Sequence, residues 1–182
     1  MKFIQSSLPD VYLIEPTALS DDRGWFMETW ESRKFSTAGI QAQFVQDNHS
    51  SSRRGVLRGL HYQVRHAQGK LVRVVSGEAY DVAVDLRRSS PTFGRWVGEY
   101  LSASNRRMLW IPPGFAHGFL AMSDNVEFVY KCTDFYDRAS ERTLRWDDAD
   151  VSIEWPISPE FPAILSDKDR NGTSLKEAEC FP

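Results

Sequence analysis

The chain has 182 residues, 41% of them hydrophobic and 13% aromatic, enough for one core of ordinary domain size without metal or disulfide staples. Its 22 basic and 25 acidic side chains leave a net charge of -3, and no block of roughly five or more like charges occurs, which argues against a nucleic-acid partner or a polybasic membrane contact. A local basic pocket for a small anion stays open.

At the N-terminus, MKFIQSSLPD holds one lysine and no apolar run long enough for a signal peptide. No later stretch approaches the roughly 20 apolar residues of a membrane span. Cys132 and Cys180 are too few for a disulfide framework and form no CxxC pair. These features predict a cytoplasmic protein.

Asp21–Trp30 (DDRGWFMETW) reads as a turn at Gly24 followed by an edge strand. Trp30–Ala38, stopped by Gly39, predicts a short helix, and Gln46–Ser52 (QDNHSSS) a polar loop or cap. Gly55–Gln63 (GVLRGLHYQ) is an odd buried strand, with glycines that permit a bulge or a close approach. Period two then takes over. Ala79–Leu86 alternates cleanly, with Tyr80, Val82, Val84 and Leu86 on one face and Ala79, Asp81, Ala83 and Asp85 on the other. Similar runs occur at Leu71–Ser76, Arg95–Leu101, Arg107–Ile111, Asn125–Cys132 and Thr143–Trp146. Turn chemistry separates them at Ser76-Gly77-Glu78, Ser90–Gly94, Pro112-Pro113-Gly114 and Ser123-Asp124-Asn125. Ser174–Glu179 predicts a further helical turn or two. Many short strands and few helices predict an all-β antiparallel jelly-roll barrel with a few short peripheral helices, one domain over residues 1–182.

The four histidines are His49, His61, His66 and His117. A cupin-type barrel that holds a metal wants an HxH pair, a nearby carboxylate and a later histidine. Here His61-Tyr62-Gln63 breaks the pair, while Pro112–His117 keeps the PxGxxH turn, so no metal is expected. Arg58 and His61 lie among apolar residues, and Lys70 shares a face with Val72 and Val74. Tyr130 shares one with Val126, Phe128 and Cys132. Singly these residues read as a surface arginine, a hydrogen-bonded core histidine, a snorkelling lysine and a core tyrosine. Together they would put a base, a cation and a phenol in one barrel, a set able to move protons.

The strings DDRGWFMETW, FVQDNHSSSRRGVLRGLHYQ, QGKLVRVVSGEAYDVAVDLRRSSPTFGRWVG, LWIPPGFAHGF and FVYKCTDFY resemble the dTDP-4-dehydrorhamnose 3,5-epimerase family, in its order and spacing, from about Ile4 to Pro182. The resemblance implies a metal-free cupin jelly roll that needs no cofactor and works as a homodimer on dTDP-4-dehydro-6-deoxy-D-glucose. It implies His61 as general base and Tyr130 as general acid. It also implies Lys70 beside the sugar carbonyl and Asp169 orienting the base, with Asp167 a competitor for that role. Substrate contacts carried over in the same way are Arg23, Glu28, Gln46, Asp47, Asn48, Arg58, His117, Glu141 and Lys168, besides Lys70. The N-terminal contacts are expected to reach the partner's pocket. Rival classes are a metal-dependent cupin, a sugar-binding cupin without activity, and a relative that inverts one carbon only.

Overall fold

The computed structural model describes residues 1–182. Its first half contains β1 (Lys2–Gln5), β2 (Tyr12–Glu15), β3 (Ala18–Asp21), β4 (Gly24–Met27), α1 (Ser32–Thr37), β5 (Gln46–Ser52) and β6 (Leu57–Gln63). There follow β7 (Lys70–Ser76), β8 (Glu78–Asp85), β9 (Trp96–Ser102) and β10 (Met108–Ile111). The last elements are β11 (Phe115–Ala121), β12 (Val126–Cys132), β13 (Glu141–Thr143) and α2 (Asp167–Arg170).

A six-stranded sheet, in the order β1-β2-β10-β7-β12-β5, faces a five-stranded sheet, β13-β6-β11-β8-β9, and β3-β4 form a separate ribbon. Successive strands repeatedly change sheet: β7 belongs to the first and β8 to the second, likewise β10 and β11. This is the jelly roll that the alternation predicts. The Ser76-Gly77-Glu78 turn is therefore a corner between sheets rather than a hairpin. Gly77 makes it with φ +76°, and a Cβ there would come within 2.3 Å of the Asn125 carbonyl oxygen.

Between the sheets lies a core that includes Val72 and Val74 of β7, Leu109 and Ile111 of β10, and Phe115 and Phe119 of β11. Phe119 stacks on Phe128 of β12, with centroids 4.1 Å apart. Two further layers cover the outer faces. The C-terminal segment, with Trp155, Leu175 and Ala178, packs on Tyr80, Val82, Val84 and Leu86. Phe35 of α1 and Ile40 cover Ile14, Leu71, Met108 and Trp110. The apolar face of β8 thus points away from the barrel, and the face carrying Ala79 and Ala83 lines it.

Several expectations shift. Gln46–Ser52 is not a loop but edge strand β5, paired with β12 from Gln46↔Cys132 to Ser52↔Val126. An edge strand with one face in water accommodates polar residues, and Asp47, His49 and Ser51 are its exposed positions. The strand expected at Thr143–Trp146 is β13, which begins two residues and ends three residues earlier, and Leu144 just beyond it exchanges two backbone hydrogen bonds with Leu60. The first helix is shorter than Trp30–Ala38, starting after the Glu31 cap. Ser174–Glu179 makes one turn, closed by the Ala178 amide on the Ser174 carbonyl at 2.8 Å. The second helix is instead α2, capped by Ser166. Strand β11 is buried at every position, so it has no alternation to detect.

Candidate active site

Arg58 and His61 stand three residues apart on β6, and strict alternation would send them to opposite faces. Both nevertheless line the barrel cavity, while Leu57 and Leu60 both face the outer layer. Gly59 makes this possible. The β6–β11 register slips between His117 and Phe119, and Gly59 sits at φ +128° with its Cα packed on Gly118. A Cβ on Gly59 would lie 2.5 Å from the Gly118 Cα, closer than any side chain tolerates. The bulge re-aims two charged side chains into one cavity.

His61, Lys70 and Tyr130 line both lobes of that cavity. One lobe, of about 240 Å³, also touches Gln46, Asn48, Gln63, Tyr136 and Glu141. The other, of about 330 Å³, touches Ser50, Arg58, His117, Lys168 and Asp169. His61 belongs to the five-stranded sheet, and Lys70 and Tyr130 to neighbouring strands of the six-stranded sheet. The imidazole therefore faces the amine and the phenol across the barrel.

Asp169 Oδ1 lies 2.6 Å from His61 Nε2. The Ser166 hydroxyl donates to Asp169 Oδ2 at 2.7 Å, and the Gly59 amide to Oδ1 at 3.4 Å. Burial pushes the Asp169 carboxyl up, but these donors outweigh it and hold it below the usual carboxylate range. Burial also lowers the His61 pKa below 6.5, against the pull of Asp169. A neutral ring beside a carboxylate must carry its proton on Nε2, which leaves Nδ1 free as a base. Lys70 is 9% exposed, and burial lowers its pKa, partly offset by Cys132 and Asp81. Burial raises the Tyr130 phenol, which stays protonated at neutral pH.

The remaining expected residues divide. Arg58 is held by the Ser52 hydroxyl at 3.0 Å and the Ser51 carbonyl at 3.2 Å. Glu141 accepts from Lys168 Nζ at 2.5 Å, and Gln46 donates to Asn48 Oδ1 at 3.0 Å. His117 Nε2 lies 2.8 Å from Asp81 Oδ1. All of these border the cavity. Arg23, Glu28 and Asp47 do not: Arg23 pairs with Asp21 on the β3–β4 ribbon, Glu28 with Lys34, and Asp47 with Lys131 on the outer face of the sheet.

Comparison with known proteins places this geometry. Residues 5–177 match the family model described as dTDP-4-dehydrorhamnose 3,5-epimerase. The chain belongs to that family. A relative of that name from Pseudomonas aeruginosa is 56% identical over 183 residues, covering 100% of both chains. One from Shigella flexneri is 54% identical, covering 100% of this chain and 99% of the relative. Among solved structures, the Legionella pneumophila dTDP-6-deoxy-D-glucose-3,5-epimerase, in complex with dTDP-4-keto-L-rhamnose, superposes with a TM-score of 0.94. It is 45% identical, over 98% of this chain and 94% of that one.

Of Asp167 and Asp169, only one reaches the His61 ring. Asp169 meets His61, whereas Asp167 is an exposed first-turn residue of α2. Sequence reading missed Ser166, Gln63, Tyr136 and Asp81. Gln63 accepts from the Asp137 amide at 2.9 Å and donates to the Phe135 carbonyl at 3.2 Å, fixing the loop that carries Tyr136. The one signal available was Asp81, an acidic residue inside an alternating strand.

Proposed function

We propose that this chain inverts C3 and C5 of dTDP-4-dehydro-6-deoxy-D-glucose, giving dTDP-4-dehydro-β-L-rhamnose for dTDP-L-rhamnose synthesis. The observation that carries this reading is the His61 imidazole facing the Tyr130 phenol and the Lys70 amine from opposite walls of one cavity. A hydrogen next to the C4 ketone becomes acidic only when the enolate oxygen is stabilised. Lys70, itself only 9% exposed, supplies the charge for that oxygen. His61 takes the carbon-bound proton on Nδ1, while Asp169 holds the ring and stabilises the imidazolium. Inversion then needs a proton delivered to the other face of the enolate, and Tyr130, on the opposite sheet, is the donor. Arg58 and Lys168 suit the anionic diphosphate.

Two further parts of the reading concern assembly and location. Arg23 and Glu28 stand outside this chain's cavity, on or just after a ribbon whose Leu19, Trp25 and Phe26 are 67%, 53% and 71% exposed. We take the working unit as a homodimer in which this segment completes the partner's pocket. Light scattering should give twice the chain mass, and Arg23→Ala should raise KM more than it lowers kcat. No helix is long and apolar enough to cross a membrane, and Cys132 and Cys180 are free, which supports a cytoplasmic location.

The deciding experiment is incubation with the nucleotide sugar in heavy water, followed by NMR. Deuterium entry and inversion at both C3 and C5 are expected. Exchange at one carbon would make this a single-centre enzyme, and bound substrate without exchange would leave only a binding protein.

A further inference from the structure

Between β12 and β13 the chain crosses from one sheet to the other beside the smaller cavity lobe. Backbone pairing carries β12 one residue past its end, where the Thr133 amide donates to the Gly69 carbonyl at 3.0 Å. Beyond it, no backbone–backbone hydrogen bond reaches Asp134, Phe135 or Tyr136. Burial does not fasten this stretch either, since Phe135 and Tyr136 are 64% and 54% exposed. A segment with so few ties is ordinarily mobile.

Three glutamine side chains hold it instead. Gln68 donates to the Asp134 carbonyl at 2.8 Å, and Gln63 to the Phe135 carbonyl at 3.2 Å. The Tyr136 amide donates to Gln46 Oε1 and the Asp137 amide to Gln63 Oε1, both at 2.9 Å. The three come from separate places: Gln46 opens β5 on one sheet, Gln63 closes β6 on the other, and Gln68 lies between β6 and β7. All three, with Tyr136, border the same lobe.

Gln63 stands where an HxH pair would need its second histidine. It is buried, and its Nε2 also donates to the His66 carbonyl at 2.7 Å. Its one oxygen accepts and its amino group donates twice, a combination that neither a neutral imidazole nor a carboxylate can supply. The position a metal site would use is here a tie between two loops. Being neutral, these amides add no negative charge to a lobe that must admit an anionic nucleotide.

We infer that Gln63 and Gln68, together with Gln46, are positioning residues for substrate binding: they hold the Asp134–Asp137 segment so that the Tyr136 ring stays at the rim of the lobe, where a bound nucleotide sugar meets it. The inference rests on the reading that the cavity takes a nucleotide sugar. The hydrogen bonds of these glutamines go to none of His61, Lys70 and Tyr130, so their loss falls on binding and leaves the proton-transfer geometry in place.

The test is Gln63→Met, which keeps the length of the side chain and removes its donors and acceptor without adding charge. Fluorotyrosine labelling gives one NMR signal for each of the six tyrosines, and Tyr136→Phe identifies the relevant one. In Gln63→Met that signal should shift and narrow as the ring gains freedom. Calorimetry with dTDP should show binding weakened about tenfold, and KM for the nucleotide sugar should rise to match while kcat changes less than about threefold. In a Tyr136→Ala background the same substitution should weaken dTDP binding less than about twofold, because the ring it positions is gone. An unmoved Tyr136 signal, an unchanged affinity for dTDP, or the full loss persisting in the Tyr136→Ala background overturns the inference. Failure of the wild type to bind dTDP overturns the nucleotide-sugar reading instead, and the Tyr136 signal still judges the glutamines. Should Gln63→Met fail to fold, Gln68→Met, at a half-buried position, is judged by the same readouts.

Discussion

His61 Nε2 and Asp169 Oδ1 lie 2.6 Å apart although 108 residues separate them in the chain. One comes from a bulged strand of the five-stranded sheet and the other from α2, a four-residue helix capped by Ser166. The cap matters twice, because Ser166 both closes the helix and donates to the second oxygen of Asp169. A carboxylate fixed from two sides can hold an imidazole in one tautomer.

Asp169→Asn should therefore lower the plateau of kcat/KM by about 10²- to 10⁴-fold. Burial holds His61 below its usual pKa, and Asp169 works against that shift. Losing the carboxylate moves His61 further down, so the acid limb of the pH–rate profile should move to lower pH. An acid limb that moved up, or a plateau that stayed at the wild-type level, would contradict the orienting role.

Tyr130→Phe removes the phenolic hydroxyl on the six-stranded sheet and leaves His61 in place. Deuterium should still enter the carbon next to the ketone, while inverted product should form about 10²-fold more slowly. Product formation at the wild-type rate would mean that another group delivers the proton.

Lys70→Met keeps much of the length of the side chain without the charge. The expected loss is about 10²- to 10³-fold in kcat with KM little changed, the signature of an interaction made in the transition state. A raised KM with normal kcat would reduce Lys70 to a substrate contact.

Asp85 holds the Arg87–Thr92 turn through Arg87, Ser90 and Thr92. Burial pushes its carboxyl up, but these donors win and hold it down to about 2, against 3.8 for a free aspartate. A lowered pKa in the folded state adds stability above pH 3.8 that is lost as pH falls toward about 2. Asp85→Ala should cost about 3 kcal/mol at neutral pH. In urea unfolding the gap to wild type should narrow between pH 4 and pH 2; a gap independent of pH would rule out the charged turn as its source.

Gly59→Ala should cost both stability and activity, since the new Cβ meets the Gly118 Cα at 2.5 Å and the His117 carbonyl oxygen at 2.8 Å, both backbone atoms. Left-handed strain adds about 1–3 kcal/mol. A variant with normal melting temperature and normal turnover would mean that the bulge relaxes without moving His61.

Much of the fold was legible because alternation is a local property. Ala79–Leu86, Asn125–Cys132 and Leu71–Ser76 each sorted their side chains into two faces, and each is a strand. Tyr130 and Lys70 were placed on the faces they occupy, packed toward the barrel. Strands without alternation escaped: β11 is buried on both faces, and β5 is polar because it is an edge.

The amino-acid sequence by itself determined the sheet content, the division of each strand into two faces, and the set of residue types capable of proton transfer. Only the tertiary structure decided which face of β8 looks inward, and here the acidic face won because the C-terminal segment covers the apolar one. It also decided that Arg58 and His61 share a cavity, that Asp169 rather than Asp167 reaches His61, and that Asp81 lies beside His117. The reason is physical: alternation relates a side chain to its neighbours along one strand, whereas a bulge, a helix cap and the closure of one sheet over another relate strands distant in sequence.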